Sequence, residues 1–154
     1  MTKLGGCVAA VLLAACGGSQ SSTVQPAKSA AAAVQGFMQA VADSNIQKMA
    51  GLWGTTNGPA AKTGQPQDWE RRVAIMQAYL RSDSYRLTSD VGETDARRVL
   101  QVQIRRQTCT WSVPFVAVKT GDGSWVVNQV DLTQAGNPAR PCDESAKADS
   151  TSTR

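Results

Sequence analysis

The stretch RRVLQVQIRRQ, Arg97 to Gln107, alternates apolar and polar side chains along most of its length. In an extended chain Leu100, Val102 and Ile104 fall on one face, and Gln101, Gln103 and Arg105 on the other. A strand patterned in this way is half buried, as in an antiparallel sheet with one face against helices. The chain on either side supplies candidates for both layers.

Upstream the apolar period is helical. Ser29 can cap a helix in which Ala30, Val34, Phe37, Met38 and Val41 recur at three- and four-residue spacing. Asp43-Ser44-Asn45 interrupts this pattern, and Ile46, Met49, Ala50 and Trp53 restart it as a shorter second helix. The segments from Gly54 to Pro59 and from Lys62 to Pro66 predict an exposed loop, after which Asp68 caps a third helix carrying Trp69, Val73, Met76, Tyr79 and Leu80.

Beyond Asp83 the period changes to two. Strands are predicted over Tyr85 to Val91, Arg97 to Gln107, Trp111 to Thr120 and Trp125 to Leu132, with Gly121-Asp122-Gly123 as a hairpin turn. Pro114 predicts an edge, a bulge or a missing ladder bond in the third strand. The fold class is α+β, with three N-terminal helices on an antiparallel four-stranded sheet.

The 154 residues suit a single domain without internal repeats. The net charge of +4 comes from scattered basic pairs (Arg71-Arg72, Arg97-Arg98, Arg105-Arg106) with acidic residues interleaved, so no nucleic-acid partner is expected. The chain has no histidine, which removes the commonest general base and metal ligand. Its four cysteines, Cys7, Cys16, Cys109 and Cys142, form no CxxC pair, so neither a metal nor a cofactor is expected.

The amino terminus has the layout of an export signal: Lys3 supplies positive charge and Val8 to Ala15 an apolar run. The run is too short to span a bilayer, which takes about 20 residues. Leu13-Ala14-Ala15-Cys16 resembles the lipobox of bacterial lipoproteins. That resemblance implies lipid on the Cys16 thiol, cleavage before Cys16, and a membrane-anchored exported protein. Because Gly17 is not an inner-membrane retention aspartate, it also implies the outer membrane, facing the periplasm, where the host has two membranes. The chain then divides into a signal peptide (1–15), a lipidated cysteine with a flexible tether (16–28), one domain (29–132) and a polar tail (133–154). Loss of Cys7 and lipidation of Cys16 leave Cys109 and Cys142, an even remainder that suggests a disulfide in an exported protein and pins the tail at Cys142.

The opening pattern from Ala33 to Asn45, the closing Asp122-Gly123-Ser124-Trp125-Val126-Val127 and the order of elements resemble the nuclear-transport-factor-2-like superfamily. The resemblance implies a curved, cone-like sheet closed by the helices around a pocket; a cystatin-like helix-on-sheet domain is the alternative. In such a cone Leu100, Val102 and Ile104 look inward, and Arg98 and Arg106 either form an anion-attracting rim or reach out to water. Trp53 and Trp69 either border the pocket or plug its base.

The last two strands carry large apolar residues on both parities. Trp111, Val113, Phe115, Trp125 and Val127 lie on one, and Val116, Val118, Val126 and Val130 on the other. Either a second face is covered by a partner, with Trp111, Phe115 and Trp125 as interface candidates, or a bulge at Pro114 brings these residues to one core.

An isomerase or dehydratase would need a carboxylate in a dry pocket opposite a hydroxyl donor. Asp131, Asp90, Tyr79 and Tyr85 are the residue types available, without a catalytic motif around them, so no catalytic residue is assigned. The expected function is a noncatalytic envelope lipoprotein that binds a small apolar ligand or a protein partner, a second copy included. A cone-pocket enzyme and an assembly subunit using the sheet face are the alternatives.

Overall fold

A computed structural model describes residues 24–140 and Cys142. The expected signal peptide, Cys16 with most of the expected tether, and residues 143–154 lie outside the described residues. Within them the chain is an α+β domain of helices and a four-stranded antiparallel sheet.

Helix α1 (Ala30–Ala42) starts at Ser29, whose Oγ accepts the Ala32 N–H at 3.1 Å. The buried stripe of α1 includes Ala30, Val34, Phe37, Met38 and Val41, the residues whose spacing predicts the helix. Helix α2 (Ile46–Leu52) is capped in the same manner by Asn45, whose Oδ1 accepts the Lys48 N–H at 2.9 Å.

The expected exposed loop is folded. Strands β1 (Gly54–Thr55) and β2 (Gly58–Pro59) pair antiparallel and run into a one-turn helix α3 (Ala60–Thr63), with Gly54, Gly58 and Ala60 buried. Glycine at 54 permits the tight crossing, because a Cβ there would overlap the Gly58 carbonyl oxygen. Helix α4 (Trp69–Leu80) also departs in one detail. The side chain of Asp68 stands at its N-cap without bonding a backbone N–H; the carboxylate accepts instead from Arg72 Nε at 2.9 Å.

Strands β3 (Ser84–Thr94), β4 (Arg97–Arg106), β5 (Cys109–Lys119) and β6 (Trp125–Val130) form the sheet in sequence order. The β4–β5 register is unbroken from Arg97↔Val118 to Arg106↔Cys109, so Pro114 lies on an interior strand with no bulge in that pairing. Its carbonyl accepts the Asp131 N–H at 3.0 Å, just beyond the end of β6. A strand residue directs its N–H and C=O to the same neighbour, so the missing donor falls where the ladder stops.

The bulge is on β6. Val116 pairs with Gln129 and Ala117 with Val127, leaving Asn128 as the extra residue. This insertion turns Val130 to the helix side, opposite Phe115, while Val118 and Val126 form a cross-strand pair on the other side.

The core lies between the helices and the inner face of the sheet. Phe37 of α1 meets Phe115 edge-on, with ring centroids 6.2 Å apart. Packing continues past both expected domain bounds: Ala27 is 8 % exposed and its carbonyl accepts the Trp125 N–H, and Ala135, in a 3-10 turn (Leu132–Ala135), is fully buried. Cys109 and Cys142 form a disulfide with Cα atoms 5.5 Å apart.

Candidate functional site

The inner face of the sheet, where a cone would hold its ligand, is filled. Leu100, Val102, Ile104, Val113, Phe115, Ala117 and Val127 are each no more than 1 % exposed. Water therefore does not reach these side chains.

The two proposed rim arginines share this face and differ in environment. At one end Arg98 is tied to Asp90, Nε to Oδ1 at 2.5 Å. At the other, Arg106 is 6 % exposed and its guanidinium donates to three carbonyls: Arg81 and Ala135, each at 2.6 Å, and Tyr79. It also lies 5.1 Å from the centre of the Trp111 ring. Burial pulls its pKa below the usual arginine value, with Asp83 opposing. Arg106 joins the end of α4, the 3-10 turn and the β4–β5 hairpin, so neither it nor Arg98 is an open anion rim or a side chain simply reaching water.

The interface expectation for Trp111, Phe115 and Trp125 is corrected in the same way. Phe115 is fully buried and Trp125 is 8 % exposed against the Ala27 segment, while Trp111 is half buried beneath Arg106. Gly136, at φ 68°, passes so close to the Trp111 indole that any side chain there would collide with it. All three serve the domain's own packing.

The acid–base candidates do not converge. Asp90 pairs with Arg98, and Asp131 caps the 3-10 turn by accepting the Thr133 N–H at 3.1 Å and its hydroxyl at 2.5 Å. The Tyr85 hydroxyl donates to Gln39 Oε1 at 3.3 Å, and burial, then the Asp43 charge, raises its pKa. Tyr79 lends its carbonyl to Arg106. Among the described residues no group of three or more Cys, Asp and Glu side chains is placed to hold a metal.

Of several hollows on the surface, two adjoin at the edge of β6. A groove of about 440 Å³ is bounded by Arg72, Ile75 and Met76 of α4, Pro114 and Val116 of β5, Asn128 to Val130 of β6, and Asp131 and Leu132, with Trp53 also lining it. A second hollow of about 530 Å³ shares Trp53, Arg72, Asn128 and Gln129 and extends toward Asn57 and Pro66. Three local features position this site. Trp53 bridges to Val127 in parallel, Asn128 Nδ2 donates to the Gly54 carbonyl at 2.8 Å, and Asp68 holds Arg72 at the rim. The Arg72 hydrogen bond is also the first cause of a lowered Asp68 pKa.

No protein-family model matches the chain, and neither a curated protein nor a solved structure matches it. The site is therefore read from its own chemistry.

Of the residues selected from sequence, Trp53 and Asp131 border the groove. Trp69 is half buried against the core, and Arg98 and Arg106 are engaged elsewhere. Sequence reasoning missed Ile75, Met76 as a wall, Asn128 and Leu132. Two signals were present: Ile75 stands off the buried stripe of α4 and is 41 % exposed, and Asn128 and Gln129 interrupt the valines of β6 at the bulge.

Proposed function

We propose that this chain is an envelope lipoprotein whose noncatalytic domain holds a small apolar ligand in the groove between α4 and the edge of β6. The observation that carries the binding reading is the lining itself. Trp53, Ile75, Met76, Val116, Val130 and Leu132 surround a space of the size that small-molecule sites occupy, with Arg72, Asn128 and Gln129 as the polar groups that orient a ligand. Its titratable groups are Arg72 and Asp131, the first paired with Asp68 and the second bonded to Thr133, which favours binding over proton transfer.

The lipobox-like Leu13-Ala14-Ala15-Cys16 supports lipid attachment at Cys16, export and residence at a membrane, the outer one facing the periplasm where the host has two. No helix among the described residues is long and apolar enough to cross a membrane. The order of helices followed by an antiparallel sheet is what supports grouping the domain with the nuclear-transport-factor-2-like superfamily; a cone-like curvature is what that grouping implies.

A polarity-sensitive fluorescent acyl chain titrated into the unlipidated domain tests the groove. Saturable binding that Ile75→Glu abolishes and Tyr79→Glu leaves in place is expected. Equal binding to the Ile75→Glu variant would remove the groove as the site. Absence of Cys16→Ser protein from the detergent phase, where the wild type partitions, is the corresponding expectation for the anchor.

A further inference from the structure

The face of the sheet turned away from the helices carries two features that core packing does not use. The first is a cross-strand row of valines. Val91 pairs with Val99 and Val99 with Val116, and Val91 is 61 % exposed. The second is a pair of arginines, Arg86 and Arg105, at the other end of the same face. Register sets Arg86 opposite Gln103 and Arg105 opposite Ser84, which makes the two guanidiniums diagonal neighbours.

Their bonding separates them from the two arginines at the start of β4. Arg97 and Arg98 meet Glu93 and Asp90, each at 2.5 Å. Arg86 Nε donates to Gln103 Oε1 at 2.7 Å and Arg105 Nε to Ser84 Oγ at 3.2 Å, both neutral acceptors, and neither arginine has a carboxylate within ion-pair distance among the described residues. Around them stand Gln101, Ser112 and Thr110. Two adjacent positive charges with no carboxylate partner among the described residues, on the same face as a valine row whose outer end, Val91, is exposed, match a surface that is negative at its headgroups and apolar just beneath them.

We propose that this face docks on an anionic lipid bilayer, with Arg86 and Arg105 on headgroup phosphates and the Val91 end of the valine row against the acyl boundary. The row leads to the groove, because Val116 belongs to both. Docking in this orientation places Val116, one wall of the groove, on the bilayer side. An apolar ligand then enters from the membrane rather than from water; this clause rests on the binding reading above, and the docking does not.

The test uses the chain without residues 1–16, all of which lie outside the described residues, so neither signal peptide nor lipid anchor can bind vesicles. No acyl ligand is added, which keeps the result independent of the groove. Flotation with vesicles containing phosphatidylglycerol, and not with pure phosphatidylcholine, is expected. Each arginine near such a surface contributes about a fivefold factor in affinity, so Arg86→Gln with Arg105→Gln lowers binding by roughly 25-fold, whereas Arg71→Gln on α4 changes it little. Val91→Asp weakens binding further, and all variants keep the wild-type melting curve because the substituted side chains are exposed.

Equal flotation with both vesicle types, or flotation unaffected by the double substitution, would overturn the proposal. So would saturation by inorganic phosphate without vesicle binding, which would leave a free-anion site. A dimer in solution that Val91→Asp dissociates would assign the face to a second copy of the chain.

Discussion

The two faces of the sheet use the same alternating strands for opposite ends. On the helix side, Leu100, Val102, Ile104, Val113 and Phe115 are sealed from solvent, and even the charged Arg106 is held by three carbonyls and an indole. On the other side and around the β6 edge, Val91 is exposed, Val99 and Val116 are half buried, Ile75 is exposed, and a groove remains open. The difference separates what folds the domain from what it can present. A cone pocket would require the inner face to do both.

Substitutions on the inner face should therefore unfold the protein, and those at the groove should alter binding with stability retained. The largest effect is expected for Phe115→Ala, which empties a fully buried site facing Phe37 and should cost about 3–5 kcal/mol in denaturant unfolding. Cys142→Ser opens a bridge between residues separated by 33 positions and should cost about 3–4 kcal/mol in the chain-entropy model, with Cys109→Ser giving the same loss. Arg106→Met retains bulk but strips the donors from the Tyr79, Arg81 and Ala135 carbonyls, for about 2–3 kcal/mol. Ile75→Glu should change unfolding by less than about 0.5 kcal/mol while abolishing acyl-probe binding. If Ile75→Glu unfolded the domain as Phe115→Ala does, the separation of faces would fail.

The smallest effect concerns pH. The Asp122 carboxylate accepts from Ser124 Oγ at 2.6 Å, Thr120 Oγ1 at 2.6 Å and the Ser124 N–H at 3.0 Å, which hold its pKa well below the ordinary carboxylate value. A carboxyl group depressed in the folded state stabilises the fold above its unfolded pKa, and that contribution declines as the pH falls from the ordinary value through the depressed one. Melting temperature should thus fall less between pH 5 and pH 2 in Asp122→Asn than in the wild type.

Local rules made the element order legible. The stripes of α1 and α4, the Ser29 cap and the alternation of β4 all follow from spacing. Asn128 as the bulged residue was not legible, because a bulge depends on how β6 meets β5; without it, Val130 reads to the wrong face. The β1–β2 hairpin was hidden for a related reason. A glycine-rich loop becomes ordered only when other chain segments meet it, as where Gly121 N–H bonds the Thr56 carbonyl. The burial of Arg106 could not be read from parity alone, since its three acceptors come from two elements distant in sequence. The groove inherits that limit: α4, β5, β6 and Trp53 create it jointly, and Ile75 and Asn128 were its visible traces.

The separation of faces can be located directly by irradiating the unlipidated domain with a fatty acid carrying a diazirine on its chain and mapping the adducts by peptide mass spectrometry. Saturable adducts on Ile75, Met76, Val130 or Leu132, suppressed by an unlabelled fatty acid, are the predicted result. Competed adducts on Leu100, Val102 or Phe115 would place the ligand inside the sheet and contradict it.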